Sequence, residues 1–167
     1  MKMLSVLLLV LSAVTGCAGT HLKDKEQVAS KVTALSQTAT SGSKAEDALA
    51  DTNSVLSKRS IYFAFDKFDI KESNKPLLEA HAKYLKEHNS AKIVLQGNTD
   101  ERGSSEYNLA LGNRRADSTK KILTLLGVAS KQIEVVSFGK EKPQSLCHEE
   151  SCWAENRRAD IVYNSAD

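Results

Sequence analysis

Four short runs of strand-forming residues, separated by stretches with helical spacing, constrain this chain most. Ile61, Phe63 and Phe65 alternate with Tyr62, Ala64 and Asp66, the period of a strand with one buried face. Residues 92–97, 133–137 and 158–163 give three more such runs, rich in Ile, Val and Leu. After the first run, Leu77, Leu78, His81 and Leu85 recur at helical spacing, with Pro76 in the first turn, where its missing N–H costs nothing. After the second, Gly103 and Ser104 supply a turn and an N-cap; a long helix is predicted over 105–126, ended by Gly127. A short helical turn is predicted over 151–156. Strands alternating with helices in the order βαβαβ(α)β predict an α/β sandwich over residues 60–164.

The long helix carries an anomaly. At about 100° per residue, Leu109, Ala116, Ile122, Leu123 and Leu126 share one broad face, with Gly112 and Thr119 beside them. Arg114, Asp117, Lys120 and Lys121 fall opposite. Arg115 does not join them; it projects from the side of Leu111, Ile122 and Leu126. A guanidinium there must snorkel to water, form a structural salt bridge or hold a partner. Asp100 ends the second strand beside the start of that helix, so an acid and an inward-leaning arginine can flank one cleft. Such a pair suits a zwitterion: the carboxylate accepts from an ammonium, and the guanidinium fork grips a carboxylate with two hydrogen bonds. Thr99 and Asn108 read as structural hydrogen bonders at the turn and the helix start. Trp153 is expected to pack the short turn onto the core, and His81 and His88 to sit at the surface or core edge. Asn156, Arg157 and Arg158 suit either a loop beside the cleft or a sheet edge.

The N-terminal third cannot build a core. Residues 18–59 hold no aromatic and are dominated by Ser, Thr, Ala and Lys, so too little apolar surface is present to offset chain entropy. Residues 17–59 are expected to be a flexible tether, with Val28, Val32 and Leu35 at the spacing of a transient helix. Residues 1–16 read as a signal peptide: Lys2, then an apolar run too short to span a bilayer. Val14-Thr15-Gly16-Cys17 resembles a bacterial lipobox, which places cleavage before Cys17 and lipid on its thiol and new amine; the alternative is an ordinary secretory peptide with an incidental cysteine. Stable anchoring needs more than one acyl chain, and a triacylated Cys17 supplies that. Export leaves Cys147 and Cys152 in an oxidising compartment, where a nearby pair is most simply a disulfide. Free thiols, or a metal or redox site built on Cys147, His148 and Cys152, are the alternatives, though the spacing fits no standard zinc pattern.

The run 98–108, followed by Leu111-Gly112-Asn113-Arg114-Arg115-Ala116, resembles the signature of the OmpA-like peptidoglycan-binding domain family. The segments 62–70, 138–143 and Asn156-Arg157-Arg158-Ala159 match the same family in order. The likeness is strongest to the lipoprotein members of the Tol system. It implies a mixed sheet with helices on one face. It also implies that Asp100 and Arg115 contact the free zwitterionic end of meso-diaminopimelate in peptidoglycan stem peptides, with Phe65, Asp66 and Leu111 forming the rest of the pocket. Further implications are an outer-membrane location facing the periplasm and competition between the wall and a TolB-like periplasmic propeller protein. An OmpA-like wall-binding lipoprotein outside the Tol system is the alternative. The resemblance does not extend to the cysteine pair, which related lipoproteins usually lack.

Other classes fit less well. The net charge of +2 comes from intermixed acids and bases, without the basic stripe of a nucleic-acid binder. No Gly-x-Ser-x-Gly elbow is present, and the adjacent acids Asp100 and Glu101 could not flank a scissile bond at the ~5–9 Å that glycosidases require. A non-catalytic binding protein without a cofactor is expected.

Overall fold

The computed structural model describes Leu49 and residues 51–164. Strand β1 is Ser60–Tyr62, helix α1 Lys75–Glu87, β2 Ile93–Asn98, α2 Ser105–Leu125, β3 Ile133–Gly139, α3 Glu150–Asn156 and β4 Arg158–Tyr163. The sheet runs β1-β4-β2-β3. β4 is antiparallel to both its neighbours and β2 is parallel to β3, so the sheet is mixed, as expected. Ile61, Ile93, Leu95, Ala159 and Ile161 are buried on the face that the helices cover. Leu78 and Leu85 of α1 and Leu123 of α2 complete the core, each contributing about 1.5–3 kcal/mol by leaving water.

The helix termini follow the sequence. Pro76 stands in the first turn of α1, the Ser104 hydroxyl accepts from the Tyr107 amide at the start of α2, and Gly127 takes φ +94° just past its end. Two glycines set how α2 meets the sheet. A Cβ on Gly97 would lie 1.9 Å from the Gly112 carbonyl oxygen, and one on Gly112 would lie 2.4 Å from Ser137 Oγ. Backbone therefore rides directly on backbone, which only glycine permits.

That contact also fixes the rotation of α2 and corrects one expectation. The buried stripe is Asn108, Leu111, Gly112, Arg115, Ala116, Thr119 and Leu123. Leu109 lies off it and is exposed, while its carbonyl accepts from Ser137 Oγ at 2.7 Å. Two further expectations are corrected at β1. The strand ends at Tyr62; Phe63 still donates its amide to the Arg157 carbonyl, but the chain then turns, with Asp66 at φ +54°. Phe65 is therefore not a third inward residue and is 57% exposed.

Order also begins before Ser60. Leu56 is buried in the core, and Ser54 caps a 3-10 turn over Val55–Ser57. His81, expected nearer the surface, is fully buried, with its ring nitrogens on Tyr163 Oη at 2.8 Å and the Lys58 carbonyl at 2.9 Å. Desolvation holds its pKa below the ordinary value. The tether expected over 17–59 thus ends earlier than Arg59: residues 51–59 are mostly exposed, but Leu56 and the turn around it pack on the domain. Cys17, Val28, Val32 and Leu35 lie outside the described residues.

Candidate functional site

A pocket of about 190 Å³ opens where β2 hands over to α2, lined by Phe65, Asp66, Asp100, Arg102, Tyr107, Leu111 and Arg115 among others. Its floor is Arg115, with no exposed surface. Its Nε donates to the Lys67 carbonyl at 2.9 Å, Nη1 to the Asn98 carbonyl at 2.8 Å and Nη2 to the Ala64 carbonyl at 3.3 Å. The β1–α1 turn and the end of β2 thus present three main-chain oxygens to one guanidinium. No carboxylate lies within ion-pair distance of Arg115 among the described residues. Desolvation lowers its pKa to about 10; Asp100 pulls it back up, Arg157 pushes it down, and Asp66 and Tyr107 raise it. Arg115 stays charged at neutral pH.

The opposite wall is Asp100, also buried. It accepts from the Arg102 amide and Nε, both at 3.2 Å, from Arg102 Nη2 at 2.7 Å and from Arg157 Nη1 at 3.4 Å. Burial raises its pKa, but the Arg102 hydrogen bonds and charge, with the bond from Arg157, outweigh that and hold it below the ordinary carboxylate value. Arg102 is itself sandwiched, its guanidinium 4.1 Å from the ring centres of Phe65 and Trp153. Arg157 also donates to the Phe63 carbonyl and pairs with Glu150, so it links the Asp100 wall to α3.

All five residues singled out for the pocket, Asp100, Arg115, Phe65, Asp66 and Leu111, line the same cavity. Asn108 is structural as expected, its Nδ2 donating to the Arg102 and Ser104 carbonyls. Asn156 pins the loop before α3 through Gln144 and Ser145. Trp153 corrects an expectation: it does not enter the core but stacks on Arg102 and donates Nε1 to Glu101 at 2.8 Å. Cys147 and Cys152 are joined as a disulfide, and the His148 ring faces Glu101 rather than the sulfur atoms.

Arg102 and Tyr107 were not singled out from sequence. Tyr107 donates its hydroxyl to the Asp66 carboxylate. Its signal was available: Tyr107, Leu111 and Arg115 are four apart and line one stripe of α2. Arg102 could have been found as the base two residues beyond Asp100, on the same side of an extended turn.

The site and fold define the class of the chain. The OmpA family model matches residues 62–163, and the chain belongs to the OmpA family. It is 48% identical over 103 residues to the peptidoglycan-associated lipoprotein of Pasteurella multocida, covering 62% of this chain and 69% of that one. It is 42% identical over 116 residues to the protein of the same name from Pseudomonas aeruginosa, covering 70% and 68%. Among solved structures, the peptidoglycan-associated lipoprotein of Burkholderia pseudomallei superposes with a TM-score of 0.70 at 56% identity, covering 71% of this chain and all of that one. The C-terminal domain of Helicobacter pylori MotB shares the fold, with a TM-score of 0.61 at 21% identity over 65% of this chain and 86% of that one.

Proposed function

We propose that this chain is a non-catalytic outer-membrane lipoprotein that grips peptidoglycan stem peptides through the free end of meso-diaminopimelate and so ties the outer membrane to the cell wall. The observation that carries the reading is Arg115. A guanidinium has five N–H donors, and main-chain carbonyls take three of them. Two remain at the floor of an open pocket, and a buried cation lacking a carboxylate suits an incoming one. The ammonium on the same ligand carbon would meet Asp100, whose depressed pKa keeps it an acceptor at neutral pH. Leu111 and Phe65 would flank the ligand's methylene chain.

The chain is not an enzyme; its relatives are named for their association with peptidoglycan. Lipid on Cys17 would hold the N-terminus in the outer membrane, with residues 17–48 supplying reach into the periplasm. The likeness to lipoproteins of the Tol system supports a shared role with a TolB-like propeller protein in envelope integrity and division. The test is calorimetric titration with a stem tripeptide ending in free meso-diaminopimelate, beside a lysine-containing peptide and the Asp100→Ala and Arg115→Ala variants. Selective binding lost in both variants is the expected result; binding indifferent to peptide and variant would overturn it.

A further inference from the structure

The acid wall of the pocket leans on a segment that has no hydrophobic support of its own. No residue of the core comes from 140–157. The disulfide closes a loop, Cys147–Cys152, that holds His148, Glu149 and Glu150. His148 Nδ1 meets the Glu101 carboxylate at 2.8 Å, and Glu150 pairs with Arg157 and lies 3.8 Å from Arg102 Nη2. Trp153, next after Cys152, donates to Glu101 and covers one face of Arg102. Glu101, Arg102 and Arg157, the neighbour of Asp100 and the two side chains that bind its carboxylate, are therefore each touched from this loop and the helix it feeds. Arg115, by contrast, donates its hydrogen bonds to Ala64, Lys67 and Asn98, all outside this segment.

We infer that the Cys147–Cys152 loop and Trp153 form the positioning element for Asp100, so that opening the disulfide weakens the pocket for its zwitterionic ligand while leaving the fold intact. The inference rests on the wall-peptide reading for its ligand, but the clamp itself is a property of the protein alone. A dithiol breaks the S–S bond by supplying two electrons and two protons; two thiols form and the reductant leaves as its own disulfide. The loop then regains the freedom that the cross-link removed. Glu101 and Arg102 lose partners held at fixed distance, and Asp100 must be ordered at the ligand's expense. Trp153 and the loop are positioning groups, acting through Arg102 and Glu101.

The test uses the full chain, oxidised, treated with dithiothreitol, or as the Cys147→Ser/Cys152→Ser double variant, with the meso-diaminopimelate tripeptide as probe. Affinity should fall about tenfold on reduction and in the double variant, the size of one charge-assisted hydrogen bond. Amide exchange at 100–103 should quicken while exchange at Leu95 and Leu123 does not. Trp153→Phe, which keeps a ring on Arg102, should recover most of the affinity lost in Trp153→Ala. Unchanged affinity and exchange on reduction would overturn the clamp, as would exchange that quickens equally in the core. If the oxidised protein ignores the peptide, the wall-peptide reading fails, and the exchange data alone still decide the clamp.

Discussion

The two walls of the pocket are built on opposite plans. Arg115 is held by backbone: three carbonyls, from a turn and a strand end, fixed by the contact between Gly97 and Gly112 one turn away. Asp100 is held mainly by side chains, with one main-chain bond from the Arg102 amide: Arg102, stacked between two aromatic rings, and Arg157, both tied to the segment 147–156 outside the core. The cation is held by main chain and has no ion-paired carboxylate among the described residues; the anion is satisfied by side chains. The difference teaches that the acid is accompanied by its own cations, Arg102 and Arg157, while Arg115 has no carboxylate within ion-pair distance among the described residues.

The largest expected effect breaks the wall held by main chain. Arg115→Ala should cost the meso-diaminopimelate peptide roughly 2–5 kcal/mol, at least ~30-fold in affinity. Arg115→Lys should not restore it, because a point charge cannot match a fork that also spans three carbonyls. Gly97→Ala sharpens the same point. Its Cβ would overlap the Gly112 carbonyl, so α2 must move off the sheet; about 1–3 kcal/mol of stability should be lost in denaturant titration, with peptide affinity falling alongside. On the acid side, Asp100→Asn should weaken binding by about 1.5–3 kcal/mol, the value of a hydrogen bond to a charged group, and lower the melting temperature by leaving Arg102 and Arg157 with Glu150 alone.

Acid probes that wall without mutation. Asp100 has a folded pKa below its ordinary value of about 3.9, so its contribution to stability is fully present above that value and is lost as pH falls through the folded pKa. Unfolding free energy measured from pH 6 downward should drop below the ordinary carboxylate range, and drop less in Asp100→Asn. The smallest effect lies away from both walls. Lys120 of α2 donates to the Ile133 carbonyl at the start of β3, outside the pocket lining, and Lys120→Ala should change affinity by under about 0.5 kcal/mol.

Much of this arrangement was legible in the sequence, because it rests on local rules. Ser104, Pro76 and Gly127 mark helix ends by their own chemistry, and the inward lean of Arg115 is a matter of period. Asp100 and Arg115 could be joined because a strand end and the helix that follows it are close in the chain. What failed needed long-range information. Leu109 looks like core until the glycine contact rotates the helix; Phe65 looks inward until the chain turns at Asp66. Trp153 was read as core because nothing local reveals that Arg102, 51 positions earlier, offers it a cation, while Leu56 and His81 joined the core through partners on other elements.

The short strand β1 has a mechanical consequence. The chain reaches its Ser60 end through the Val55–Ser57 turn, which Leu56 packs on the core, and the pocket begins past its other end, at Phe65 and Asp66. In the proposed tether, tension between membrane and wall would run along β1 and slide it lengthwise against β4, its antiparallel neighbour. Pulling in that direction strains the ladder bonds of Ser60, Ile61 and Tyr62 together instead of one after another. In that proposal a tug from the N-terminal side would meet the sheet in shear, the direction in which all three ladder residues of β1 share the load.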